Sequence, residues 1–351
     1  MPIPLPSFDS QACAKTLVEL LSIPSPTGFT HYAMAYVEEK LKALGLNARY
    51  TSKGALLWTL KGQDSQQARS VAMHIDTLGA MVKEIKEEGR LKLSKIGGYD
   101  WSTIEGEYCL IHASNDQIYS GTVLNTTQSA HIFGPVLAEL KRSEDTMEVR
   151  LDEVVHSEKD VRDLGIEVGD FISWDSRAEH KPNGFIKGRH LDNKASVAIC
   201  LEASAAFLRQ GLKPLYDIHF FVSNYEEVGH GAATGIPSET KELLCLDMAV
   251  VGEGQQGSEY QVTICSKDSS GPYDFEMTQK LKKLAKDYQL AACTDIYSYY
   301  GSDASAAWRA GGNFKAALIG PGVDASHAYE RSHIQALEAT GQLLLAYCLN
   351  P

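Results

Sequence analysis

The chain is short of several things, and each shortage removes a class of function. No apolar run approaches the roughly 20 residues that cross a bilayer, so a helical membrane protein is not expected. The opening stretch MPIPLPSFDS has neither the basic start nor the apolar middle of a secretion signal, which predicts a cytoplasmic protein. The seven cysteines (Cys13, Cys109, Cys200, Cys245, Cys265, Cys293 and Cys348) are odd in number, scattered and without a CxxC pair. They read as buried thiols rather than a disulfide framework. No continuous basic stripe relieves the net charge of −12, so neither nucleic acid nor an anionic membrane is expected as a partner. No internal repeat or low-complexity linker is visible.

What is present suits a soluble globular protein: 351 residues, 44% hydrophobic, enough for one large domain or two ordinary ones. Helical spacing over 12–46 is interrupted by the breaker cluster SIPSPTGFT, which predicts two helices around a turn. The short apolar runs ALLWTL and SVAMHI follow as strands. From about Gly79 the texture becomes a series of short alternating runs divided by turn signals such as EEGR and SND, which is the pattern of an all-β region. Beyond Gly184, helices and strands alternate again: a helix over 193–210, strands near 216–223, 243–251 and 293–299, a helix near 273–288, a strand at KAALIG and a closing helix from Ser332. The expected fold is therefore α/β, with residues 1–78 and 186–351 forming one domain and a small β-rich domain inserted at 79–185.

Chemistry-bearing residues collect at the ends of these elements. In NYEEVGHGA, Glu226 and Glu227 follow the apolar run YDIHFFV, at the point where strand becomes loop. Two adjacent carboxylates repel unless a cation lies between them. In VAMHID, His74 and Asp76 are one residue apart and leave the same face of a strand, so an imidazole can bind metal while the carboxylate orients it. Asp192 in GRHLDNKAS stands just before a helix, where an N-cap is the ordinary role. Asp247 interrupts the apolar run LLCLDMAVV and needs a partner if buried. DASHAYERSH adds His327 and His333, either of which could be an ordinary surface histidine. Each residue alone has a structural explanation. Together they supply the inventory of a two-metal site: a shared carboxylate, a histidine and a carboxylate for each ion, and a free carboxylate as base.

The ordered motifs HID, GRHLDNKAS, NYEEVG, CLD, SDAS and SHAYE resemble those of the dinuclear aminopeptidases that assemble into tetrahedral particles, the glutamyl and deblocking aminopeptidase family. The resemblance runs from ELLSIPSPTGFT to the closing helix. It implies a zinc-exopeptidase-like fold, a mixed central sheet with helices on both faces, and an inserted domain used in dimerisation and assembly. Carried over residue by residue, it makes Asp192 the bridging ligand, His74 and Asp247 the ligands of one ion, and Glu227 and His327 those of the other. Glu226 becomes the general base, and Asp76 the carboxylate that orients His74. The implied cofactors are two divalent ions per chain, zinc or cobalt, with manganese as a third candidate. Thr77 stands where many members carry an acid, and Lys194 where an arginine is frequent. A closer likeness, carried by IPSPTG, HIDTLGAMVK, DSSGPYDF, YYGSDAS and DASHAYERSHI, is to a bacterial subgroup found beside genes for the osmoprotectant N-acetylglutaminylglutamine amide.

The expected activity is removal of N-terminal residues from short peptides, by a homo-oligomer for which the family suggests a dodecamer. An uncharged or amide first side chain is expected because the site is itself acidic, unless Lys194 or Arg189 points inward. Two alternatives are a metal-dependent hydrolase of a small acylated amide or dipeptide, and a non-catalytic scaffold that kept the fold.

Overall fold

The central strands carry apolar side chains on both faces, as strands buried on two sides must. In the strand Tyr216–Ser223, Phe220 and Val222 enter one core while Phe221 enters another. In Thr240–Leu246, Leu244 and Leu246 face the first core, and Leu243 and Cys245 the second. The computed structural model describes residues 3–351; Met1 and Pro2 of the opening stretch lie outside the described residues. These strands belong to a mixed 13-stranded sheet whose middle runs 216–223, 64–74, 240–246, 315–324, with each of those neighbours parallel. Helices Ser10–Leu21, Leu191–Arg209, Phe275–Asp287 and Ile334–Leu349 pack on one face, and the short helix Asp303–Arg309 on the other. No helix among the described residues is long and apolar enough to cross a membrane.

The alternating runs after Gly79 form a closed barrel of six strands, in the order 79–85, 91–96, 147–151, 118–125, 108–112, 171–174. The barrel has its own apolar centre, including Leu91, Leu93, Ile111, Val149 and Ile172. The hairpin Glu179–His180 and Phe185–Gly188 rejoins the large sheet by pairing with Glu330–His333.

One expected strand is broken. The run 243–251 divides into Thr240–Leu246 and Ala249–Val251. Asp247 lies in the break, where its Oδ1 accepts the N–H of Met248 at 2.8 Å, and the chain bends there between two segments that both run parallel to 315–324. Gly320 permits this bend, since a Cβ there would stand 1.5 Å from the Asp247 carbonyl oxygen.

Candidate metal centre

Parallel register brings the sequence motifs to one edge. His74 closes its strand directly opposite Ser223, so the Glu226–Val228 turn begins three residues beyond the histidine's own level. Asp247 follows the next parallel strand, and His327 follows the strand that ends at Asp324. All of these groups lie at carboxyl ends of parallel strands, the usual location of sites in open α/β sheets.

Asp192 lies between the two histidines. Its Oδ1 is 3.1 Å from His74 Nε2 and its Oδ2 is 3.3 Å from His327 Nε2. The side chain takes no N-cap bond, so the helix-cap explanation of this residue does not hold. His74 Nε2 is also 3.7 Å from Asp247 Oδ1 and 3.8 Å from Glu226 Oε2, while His327 Nε2 is 3.7 Å from Glu227 Oε2. Ligand atoms of His74, Asp192 and Glu227 fall within 4.8 Å of one another. The Glu227 side chain is 3% exposed and its Oε1 has no hydrogen-bond partner. Glu226 is the more exposed of the two, at 17%, and both line the adjoining cavity.

Asp76 explains how two like charges are held side by side. Its Oδ1 accepts the N–H of Glu226 at 3.1 Å, and its Oδ2 accepts that of Glu227 at 3.2 Å and the hydroxyl of Thr27 at 2.6 Å. His74 Nδ1 is 3.0 Å from the Asp76 carbonyl oxygen and 3.6 Å from its carboxylate. The residue thus meets the histidine mainly through its backbone and anchors the glutamate turn through its side chain. Gly229, at φ +86°, ends that turn in a conformation that suits glycine.

Sequence reasoning missed two acids. Glu330 accepts the N–H of Asp192 at 3.1 Å and that of His327 at 3.0 Å, so one carboxylate fixes the backbone of two site residues. Asp303 accepts the N–H of Ala232 at 2.8 Å and the Ser223 hydroxyl, bracing the far end of the glutamate loop. Both lie in quoted motifs, SHAYE and SDAS, but a lone acid does not reveal its backbone partners. His333 is structural: its Nδ1 accepts the N–H of Gln335, capping the last helix, and its Nε2 donates to the Asn183 carbonyl. Lys194 points away and donates to the carbonyls of Leu20 and Ile23. Arg189 reaches the Ala328 and Thr103 carbonyls and Glu107.

The electrostatics are those of a site crowded with anions. Burial pushes Glu226 and Glu227 well above the usual carboxylate range, and Asp247 up to about 6. Burial, then the charge of Asp192, pushes Glu330 up to about 8. Burial alone would lower both histidines. The neighbouring acids reverse this, raising His74 well above its ordinary value and His327 to about 11. Burial opposes ionisation of Asp192 too, but His327 and His74 hold it well below the usual range. Beside the cluster opens a cavity of about 680 Å³, walled partly by Val250, Val251, Tyr299, Tyr300 and Asp324. A larger cavity of about 770 Å³ lies between the end of the first helix and the barrel, away from the acids.

A sheet edge with this set of histidines and carboxylates has the donors of a metal-dependent enzyme's site, and comparison with known proteins says which class of enzyme it is. A family model described as M42 glutamyl aminopeptidase matches residues 54–343, and the chain belongs to that family. It is accordingly a metallo-aminopeptidase, a hydrolase of peptide bonds in a family that uses divalent metal. It is 47% identical over 333 residues to YhfE of Bacillus subtilis strain 168, an aminopeptidase by name, covering 95% of this chain and 96% of that protein. Two solved structures share the fold at 19% identity. An aminopeptidase from the archaeon Desulfurococcus kamchatkensis superposes with a TM-score of 0.86, covering 97% of this chain and 96% of that one. The TET1 peptidase of Pyrococcus horikoshii, described as assembling into a tetrahedron or a large octahedral shell, gives 0.82 over 97% of this chain and all of that one.

Proposed function

We propose that this aminopeptidase works with two divalent ions around Asp192, with Glu226 as general base, on short peptides that carry a free N-terminus. The observation that carries the reading is Asp192, whose two oxygens face different histidines. Beside His74 Nε2 stand Asp247 at 3.7 Å and Glu226 at 3.8 Å, and beside His327 Nε2 stands Glu227 at 3.7 Å. The donor set fits ions: buried acids outnumber the two imidazoles, and Glu227 Oε1 is buried without a partner, which is costly unless a cation meets it. His74 and Asp247 would hold one ion, Glu227 and His327 the other, with Asp192 shared. Bound ions supply Lewis acidity, polarising a peptide carbonyl and lowering the pKa of water.

The remaining work falls to the chain. Glu226 takes a proton on its carboxylate from the attacking water and returns it to the leaving amine. Both glutamates line the cavity, and the greater exposure of Glu226 supports giving it the base role and the more buried Glu227 the ligand role. Asp76 keeps the two carboxylates apart by fixing both backbones. Zinc or cobalt is the proposed metal. We assign residues 1–78 and 186–351 to catalysis and the 79–185 insertion to assembly, in a symmetric homo-oligomer of even number such as a dodecamer. The assembly of the Pyrococcus relative supports that choice.

Elemental analysis, with turnover of a free-amine peptide library before and after chelation, tests the reading. Metal-dependent release of first residues is expected, and unchanged turnover in the metal-stripped protein would refute it. Light scattering tests the assembly: a fully active monomer at micromolar concentration would contradict it.

A further inference from the structure

The cavity beside the candidate metal centre has an uneven charge that the proposed reaction does not use. Its outer wall is formed by Val250, Val251, Tyr299, Tyr300, Asp324 and Ala325. The strand Ala249–Val251 pairs in parallel with the end of Lys315–Asp324, placing Val251 opposite Asp324. Tyr299 is fully exposed at the mouth, and Tyr300 is tied by its hydroxyl to the Met248 carbonyl at 2.8 Å. The wall is therefore apolar and aromatic with one carboxylate in it.

No lysine or arginine lines the cavity among the described residues. The cations nearest in sequence are engaged elsewhere. Arg331 pairs in register with Asp324, yet its guanidinium lies 2.7 Å from Glu259 and over the Phe185 ring. Lys194 donates to the Leu20 and Ile23 carbonyls, and Arg189 to those of Ala328 and Thr103. Asp324 Oδ1 accepts the N–H of Ala325 at 2.8 Å, and among the described residues no cation lies within ion-pairing distance of the side chain. Two divalent ions would offset the formal charge of Asp192, Glu226, Glu227 and Asp247. Asp324 would then remain as the uncompensated charge of the wall.

We infer that this cavity selects the first residue of the substrate by charge, accepting uncharged and basic side chains and rejecting acidic ones, with Asp324 as the specificity-determining residue. The inference rests on the aminopeptidase reading above and narrows it. A substrate carboxylate is received best by a cation or hydrogen-bond donors, and this wall presents an anion instead. A like charge in a partly wet cavity is worth at least about tenfold in affinity.

The test measures binding and turnover separately on the metal-loaded full chain. Calorimetry would follow the hydroxamates of leucine, glutamine, lysine and glutamate, and the matching p-nitroanilides would report kcat/KM. Glutamate hydroxamate should bind about tenfold or more weaker than its glutamine counterpart, with lysine at least equal to glutamine. Asp324→Lys should raise the glutamate-to-glutamine ratio about tenfold, and Asp324→Asn should raise it less. Glutamate binding as tightly as glutamine, or a ratio indifferent to both substitutions, overturns the inference. Charge-ranked binding without turnover of any anilide would support the selection while refuting the hydrolase. Turnover with glutamate preferred would do the reverse.

Discussion

The barrel and the sheet edge both bury acids, and they treat them in opposite ways. In the barrel, Glu148 is met by Lys86 at 2.7 Å and Arg90 at 3.4 Å, and Glu107 by Arg177 at 2.6 Å and Arg189 at 3.1 Å. At the sheet edge, Asp192, Glu226, Glu227 and Asp247 share two histidines, Glu330 is held by backbone N–H groups, and among the described residues none of the five pairs with a lysine or arginine. A paired acid is part of the scaffold. A cluster of unpaired buried acids is tolerated only if backbone donors fix it and something cationic joins it. Asp76 and Glu330 provide the fixing, and the proposed ions provide the charge.

The largest effect should come from removing the shared carboxylate. Asp192→Ala is expected to lose both proposed ions and all measurable turnover, because its two oxygens face both histidines. Retention of two ions per chain would show that the pairing with the histidines is merely structural. Next, Glu226→Gln should keep its metal and lose roughly 10²-fold or more in kcat. Glu227→Gln should lose metal affinity first, and the opposite pattern would exchange the two roles.

Smaller effects probe the supports. Glu330→Gln leaves one side-chain oxygen to accept two N–H groups, and a loss of about 10–100-fold in metal affinity or activity is expected. In the barrel, Glu148→Gln should instead cost about 1–3 kcal/mol of stability with metal content unchanged. Calorimetric melting and elemental analysis of the two variants compare the regions directly.

The two regions should also respond oppositely to pH. In metal-free protein, Asp247, Glu330 and His327 have folded-state pKa values raised to about 6, 8 and 11. Raised groups bind more protons folded than unfolded, so their stabilisation is complete below the unfolded values and is lost as pH rises through the folded ones. The raised acids and histidines of the sheet edge outnumber the lowered His112, His190, His219 and Lys194, which act in the opposite sense, so the melting temperature should fall between about pH 5 and 8, and added metal should restore it most at the upper end. Glu105 in the barrel is lowered by Arg142, so its contribution is lost only in acid. A metal-free melting temperature that climbs from pH 5 to 8 would contradict the crowding of anions at the sheet edge.

How far the sequence reveals this arrangement depends on how local each signal is. The strand Tyr216–Ser223, the helix Leu191–Arg209 and the closing helix were legible because their apolar period is uninterrupted. His74, Glu227 and His327 were legible as members of a set, each beside a strand end. Closure of the barrel was not, since alternating runs look the same in an open sheet and in a closed one. The break at Asp247 was hidden because the bend depends on Gly320, more than 70 residues away. Glu330 was hidden for a related reason: its partners are backbone N–H groups, one of them 138 residues distant, which no side-chain pattern records.

The central claim is that the acids of the sheet edge surround two ions, and calorimetric titration of the metal-free native chain with zinc tests it most directly. Two equivalents per chain are predicted, with protons released as His74 and His327 give up the protons that neighbouring acids hold on them. A single equivalent, or two without proton release, would contradict it.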